Sequence, residues 1–409
     1  MEVHFEKERR TVIISGAGIA GLASALFIAR AGYRVEVFEK AKKLDPVGSG
    51  LQLTPNAMHV LAELGLDRLI KSVANAPVGI EIFNGTSGKK ITDIRLGNVV
   101  SQKYGQPYLV IHRADLQEVL FNACNSEPDI HIRLGGELRD AVSHANGITV
   151  IADTNGKTEN YRGIGLIGAD GVDSITRREC FLEKSPVSTK TFALRALIHV
   201  KDMPTSLQTN RIKMWLAPNA HAVVYPVRRG NFHNIVITVP DKFKQISGFE
   251  NNIQDNYNGE VIATGLGKWN AKFLQLLKTK TIWTDWPLKS LPQLNVWSEG
   301  NITLVGDAAH AMTPHVAQGA AMALEDAATL GWAISRSKTL KDAFGLYQDQ
   351  RTERTAAISR QSDKNKRLYQ LPEELGFFRN IGIRMMGGEK LLGRQDWIYR
   401  WKPPKGDAG

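Results

Sequence analysis

Two kinds of hydrophobic pattern alternate along the chain. Short unbroken apolar runs at residues 12–15, 163–168 and 300–306 predict parallel strands buried on both faces. Each runs into a glycine turn and then a helical stretch. The second kind is every-other-residue alternation, in residues 76–100 with a turn from Asn84-Gly85 to Gly88, and through most of 185–285 ("TFALRALIHV", "RIKMWLA", "HAVVYPVRR", "FHNIVITVP"). It predicts a sheet buried on one face, mostly antiparallel, with a helix or two before Trp283. Residues 130–167 read as further short strands. Helical periodicity covers about 20–31, 55–63, 66–73, 109–125, 318–337 (the longest) and 340–367.

The fold class that follows is α/β, a Rossmann-like parallel-sheet domain interleaved with an antiparallel-sheet domain, with C-terminal helices added. Residues 1–75, 101–184 and 286–365 are expected to form the first domain, 76–100 and 185–285 the second, and 366–409 a helical tail. Trp397, Tyr399 and Trp401 are expected to anchor that tail. The first ten residues are charged and expected to be loose.

The chain is organised around residues 11–39. Gly16, Gly18 and Gly21 give the G-x-G-x-x-G spacing between a strand and a helix. The first glycine permits the tight turn, the second a close approach of the backbone to a pyrophosphate, the third close packing of helix on strand. The free N–H groups at the helix start favour an anion. Glu39 ends the next strand, near the roughly 20-residue distance expected of an acid that binds a ribose hydroxyl. The complete strand–turn–helix–strand–acid context lifts the motif above a chance glycine loop.

Composition changes this picture little. At 409 residues, 43% hydrophobic and 23% charged, the chain can bury two domains' worth of core, and no apolar run is long enough to span a bilayer. Two cysteines, Cys124 and Cys180, without metal-type spacing, predict buried thiols in a reducing, cytoplasmic setting. The net charge of +11 is scattered, with the densest group, residues 360–370, reading as one solvated helix face. No nucleic-acid module is present. Such a field suits an anionic cofactor and substrate.

Three further clusters carry chemistry. In "HRADL" (112–116), Arg113 at a helix mouth is a fixed cationic donor, or a plain surface Arg. In "GADGVDS" (168–174), Asp170 sits in a glycine turn at a strand end, a ligand position in parallel sheets and also a common turn. In "GDAAHAMTPHVAQGAAMALEDA" (306–327), a strand delivers Asp307, which could bond a sugar-like hydroxyl. Pro314 follows, and Gln318-Gly319-Ala320 opens a helix able to hold negative charge.

Taken together and in this order, "GAGIAG…E", "GADGVDS" and "GDAAHAMTPHVAQGA" resemble the single-component flavoprotein aromatic hydroxylases, the family of salicylate and p-hydroxybenzoate hydroxylase. The likeness runs from residue 11 to about 365. "GSGLQLTPNAM", "HRADLQEVL" and "DWIYRW" look most like the salicylate-hydroxylase branch. The resemblance implies an FAD site made of Gly16, Gly18, Ile19, Ala20, Gly21, Glu39, Lys40, Gly50, Arg113, Asp170, Asp307, Pro314, Gln318, Gly319 and Ala320. Asp170 is tied in the family to both FAD and the pyridine nucleotide. The resemblance also implies NADH or NADPH as co-substrate, molecular oxygen, and a flavin hydroperoxide that hydroxylates an activated ring, kept from water by the second domain. No second G-x-G-x-x-G is present, which leaves NADH against NADPH undecided.

Arg195 and Tyr225 interrupt apolar strands of that second domain. An Arg and a Tyr so placed orient or deprotonate a phenol in parts of the family, and they are the expected catalytic pair. A core-edge Arg and a packed Tyr are the plain alternatives. His221 and His315 fall near the same region, and His310 reads as structural. Some relatives carry a catalytic His just before the Tyr-Pro pair, where this chain has Val224. The implied partners are a small aromatic substrate and oxygen, with no nucleic acid, no metal and no membrane insertion, in a monomer or homodimer. The alternatives are the same scaffold acting on a heterocycle or alkene, a reductase of the geranylgeranyl type, and a flavin-binding redox protein without turnover.

Overall fold

The computed structural model describes residues 10–44, 49–154, 156–181, 185–243, 259–279 and 281–405. The N-terminal tail before Arg10 and Gly48 of the Gly48-Ser49-Gly50 turn lie outside them.

Thr11–Ser15 is wholly buried at the centre of a six-stranded sheet. Arg34–Glu39 and Gly165–Gly168 flank it, then Ile130–Leu134 and Ile302–Leu304, all parallel; Ser298–Glu299 closes one edge antiparallel. The unbroken apolar runs are explained by layers on both faces. On one, the helix Ile19–Arg30 packs against the helix Gly319–Arg336. A Cβ on Gly331 would fall 2.6 Å from Phe27 Cβ, so a glycine is what lets these helices meet. On the other, a three-stranded sheet (Gly136–His144, Gly147–Thr154, Lys157–Gly163) covers Ile13, Phe38 and Leu166.

The alternating segments form a seven-stranded sheet in the order Trp283–Ser290, Val187–His199, Phe232–Pro240, Ala220–Val227, Ile212–Ala217, Gly79–Asn84, Lys90–Arg95. It is antiparallel except that Ile212–Ala217 and Gly79–Asn84 run parallel. The hairpin at 76–100 thus joins the distant 185–285 segment. One sheet face packs Trp215, Val224 and Trp283 beneath the helices Gly259–Leu266 and Ala271–Leu277, the second of which contributes Phe273. The other face meets the long helix Leu340–Tyr369 and the closing helix Glu373–Gly393.

Four expectations change. Residues 109–112 are a buried strand paired with Gly50–Leu53, and the helix begins at Arg113; a short apolar run gives helix and strand the same signature. The longest helix is Leu340–Tyr369, of 30 residues, against 18 for Gly319–Arg336, as the expected bounds 340–367 against 318–337 already required. Residues 360–370 are not one solvated face, because Ser362 is buried and donates to Thr313 O (2.6 Å), and Asn365 donates to His315 O (3.1 Å). Of the tail aromatics, Tyr399 packs edge-on to Tyr104 and Tyr108, and Trp401 lies over Arg351 and Arg354. Trp397 is 43% exposed and anchors nothing with its ring.

Candidate active site

Three corners of the chain meet at the carboxyl ends of the parallel strands. Gly16 has φ +105°, and a Cβ there would lie 2.5 Å from Ala169 O, so the first turn rests directly on the "GADG" turn. A Cβ on Gly21 would lie 1.9 Å from Gly16 O, which fixes the helix on its own turn. A Cβ on Gly306 (φ +61°) would fall 2.9 Å from Ala20 Cβ, which brings the third corner to the first. Gly18 differs: a Cβ there would meet nothing within 4 Å, and no side chain caps the helix behind it. The N–H groups of Gly18, Ile19 and Ala20 therefore border open space with no acid in the first turn. This is the cradle a pyrophosphate needs.

Glu39 hangs over that cradle. Its carboxylate accepts from Ala17 N and Ala41 N, both at 2.9 Å, and Lys40 beside it is exposed. Asp170 is turned inward: it accepts from Ser174 Oγ, and from Thr176 N (2.9 Å) and Thr176 Oγ1 (3.0 Å). Its carboxylate thus caps the helix Ile175–Phe181. Arg177 on that helix donates to Val172 O and Ala308 O and ties the second corner to the third.

Asp307 is solvent-accessible at the bottom of the cleft. The protein crowded around it still displaces enough water to raise its carboxyl, with His310 and then Arg113 opposing. Arg113 is exposed at the start of its helix, and its N–H bonds Ser49 O (3.0 Å). At Gly319 a Cβ would meet nothing, and the helix from Gly319 also lacks a side-chain cap. The Gln318 side chain points away from this opening, bonding Thr54 and Asn56.

Beneath Gln318 lies a buried charge network with no local sequence signal. Asn56 bridges Gln318 and Glu325; Arg351 donates to Glu325 (2.6 Å) and Asp326 (2.7 Å); Arg354 grips Glu325 twice. Burial alone would raise both carboxyls, but Arg351 and then Arg354 reverse this for Glu325, as His310 and then Arg351 do for Asp326, and both are held low. His310 Nε2 donates to the ionised Asp326 at Oδ2 (2.6 Å), which anchors it structurally.

Next to Pro314 a cavity of about 640 Å³ opens between the seven-stranded sheet and the long and closing helices. Gln52, Tyr108, His221, His315 and Tyr369 line it together. Tyr108 donates to Gln52. The rings of His221 and His315 are 5.2 Å apart. Burial, then the neighbouring His315, pushes His221 well below its ordinary value; burial, then Lys366, brings His315 to about 4. Nδ1 of His221 and both ring nitrogens of His315 have no hydrogen-bond partner among the described residues.

Strand register places the other candidates. Tyr225 and His221 share one face of Ala220–Val227, while Val224 packs on the opposite face with Phe273 and Trp283. A side chain at 224 therefore cannot reach the cavity, and the alternation itself marks His221 instead. Arg195 pairs with Val236, Val236 with Val223, and Asn234 with Tyr225. Arg195 lies over the Trp286 ring (5.1 Å), with Nε unpartnered among the described residues. Burial lowers its pKa, against Tyr225 and with Arg113; burial raises Tyr225 against Arg195. A Cβ on Gly50 would strike the Tyr225 ring at 2.5 Å, and Gly50 N donates to Asn234 Oδ1 (2.7 Å), whose Nδ2 has no partner among the described residues. Arg195 and Tyr225 therefore sit on the wall towards Gly50, outside the cavity lining.

Known proteins agree with this geometry. Residues 9–362 match the model of the FAD binding domain family. The chain is 32% identical over 395 residues to 3-hydroxybenzoate 6-hydroxylase of Polaromonas naphthalenivorans (strain CJ2), covering 95% of this chain and 96% of that one. Among solved structures, Klebsiella pneumoniae HpxO complexed with FAD and uric acid superposes with a TM-score of 0.83 at 19% identity, over 97% of this chain and 98% of that one. A salicylate hydroxylase substrate complex gives 0.76 at 24%, over 97% and 96%. The chain belongs to the FAD binding domain family and is an FAD-dependent monooxygenase of the aromatic-hydroxylase type.

Proposed function

We propose that this monooxygenase hydroxylates a small aromatic acid that already bears a ring hydroxyl, of the hydroxybenzoate kind, with NADH or NADPH and molecular oxygen. The observation that carries this reading is the position of the His221–His315 cavity, bordered by Pro314 in the loop that leads to the open helix start at Gly319. The name of the Polaromonas relative supports the substrate class.

The pyrophosphate of FAD is assigned to the N–H groups of Gly18, Ile19 and Ala20, with Gly16 and Gly21 shaping the turn. The adenosine ribose goes to Glu39 beside Lys40, the ribityl chain to Asp307 and Arg113, and the ring system to the side of Gly50, Pro314, Gly319 and Ala320. Asp170 and Gln318 support these positions through backbone, since their side chains are engaged internally. When bound, the reduced cofactor activates oxygen so that one atom enters the ring and the other leaves as water, with NADH or NADPH as the electron source.

Within the cavity the chain's own task is to activate the ring and keep water out. His221, held neutral, accepts the phenolic proton at Nδ1, and electron density moves into the ring. Tyr225 and Arg195 shape the wall beside Gly50, and the guanidinium favours negative charge there. The seven-stranded sheet from 76–100 and 185–285 holds substrate, and the remaining sheets hold FAD. The test is oxygen-dependent oxidation of NADH or NADPH by the FAD-loaded protein across a panel of hydroxybenzoates. Stimulation with release of a hydroxylated product is expected; none with any member would overturn the reading.

A further inference from the structure

The cavity is larger than a single ring requires, and part of its excess is aliphatic. Even at the ~30 Å³ that a water takes up in the liquid, the about ten non-hydrogen atoms of a hydroxybenzoate fill less than half of such a space; the cavity measures about 640 Å³.

The lining is also divided. Gln52, Tyr108, His221 and His315 gather at the Pro314 end. Beyond Leu216, which stands directly across the strand pair from His221, Ile82, Met214 and Ile383 join it in one packed cluster, with Leu391 against it. These come from two strands paired in parallel and from the closing helix. The charged side chains in the lining, Lys364 and Arg394, are both cationic and exposed. Met214 and Met386 supply adaptable surface to an apolar tail. The closing helix packs tightly at Gly388, where a Cβ would fall 1.9 Å from Asp93 O, next to its break at Gly387, and Arg379 ties its first turns to Tyr369 O and Leu216 O.

We infer that the substrate is an aromatic acid or phenol bearing an aliphatic substituent of several carbons, with its ring at His221 and its chain along Ile82, Met214 and Ile383. This rests on the aromatic-hydroxylase reading of the same cavity. It adds what the ring carries.

The test uses the FAD-loaded enzyme and hydroxybenzoates with straight alkyl substituents from methyl to hexyl. Kd is read from perturbation of the flavin absorbance, and turnover from oxygen-dependent NADH or NADPH oxidation. Each methylene is expected to tighten binding about fourfold until the chain reaches the end of the cavity. Affinity that is flat or falls from the first methylene, while the unsubstituted acid turns over, overturns this inference alone. No turnover with any member, short or long, overturns the hydroxylase reading as well. Met214→Trp, which fills the aliphatic end, is expected to abolish the gain with chain length; should it not fold, Met386→Trp on the half-buried wall serves instead. An unchanged gain in a folded variant contradicts the placement of the chain.

Discussion

The imidazole rings of His221 and His315 face one another at 5.2 Å, tilted by 47°, in the wall of a cavity that Ile82, Met214 and Leu216 line as well. One comes from the central part of the seven-stranded sheet, the other from the loop after Pro314. Burial keeps both neutral, so at neutral pH the cavity presents proton acceptors where a phenol would lie.

His221→Asn is expected to lower kcat for hydroxylation by about 100-fold or more, the usual weight of a positioned general base. FAD affinity should stay unchanged, because His221 lies on the cavity side of the wall. Steady-state kinetics beside a flavin titration check both halves.

The same burial has a consequence for stability. His315 and His233 are each pulled from 6.5 to about 4 in the folded protein. A lowered histidine pKa means that the unfolded chain binds more protons between those values, so stability rises with pH across that window. Thermal stability is expected to fall as pH drops from about 6.5 towards 4, with up to about 3 kcal/mol from each ring. His315→Gln should flatten the pH dependence of Tm; an equally steep profile would remove His315 as a cause.

The glycine turn offers a contrast between two alanines. Gly21→Ala drives a methyl into the Gly16 carbonyl and is expected to cost about 3 kcal/mol or more. Gly18→Ala meets nothing in the protein and should leave the apoprotein within about 0.5 kcal/mol of its stability. Its methyl occupies the space assigned to the pyrophosphate, so FAD binding should weaken at least about tenfold, or 1.4 kcal/mol. Urea melts of apoprotein and a flavin titration separate the two.

Arg351 is buried between Glu325 and Asp326, and Glu325 is also gripped by Arg354. Arg351→Met removes one of the two cations at Asp326 and leaves it His310 and the Gly306 N–H. A loss of about 3–5 kcal/mol is expected, the range for breaking a buried pair from one side. Gln318 hangs from the same network through Asn56, so FAD retention should fall with it.

The corners were legible because their chemistry is local. Gly16, Gly21 and Gly306 must be glycine for reasons of a few ångströms, and their spacing carries that requirement in one dimension. Period-two alternation likewise announced the second sheet. The cavity was not legible in this way. It needs the parallel pairing of 79–84 with 212–217, and a closing helix whose polar and glycine residues gave no apolar stripe to follow. The face of a strand is set by register, so nothing local tells that His221 faces the cavity and Val224, three residues later, the opposite core. Asp170 and Gln318 carry the right residue types, yet their side chains bond inward, a fact that only the packed molecule reveals.

The most direct test of the account follows the oxygen. FAD-loaded protein is supplied with NADH or NADPH, ¹⁸O₂ and a panel of ring-hydroxylated aromatic acids, and the products are weighed by mass spectrometry. The account predicts one labelled oxygen atom in the product for each nicotinamide oxidised in coupled turnover. Bound FAD with no labelled product from any aromatic acid would contradict it.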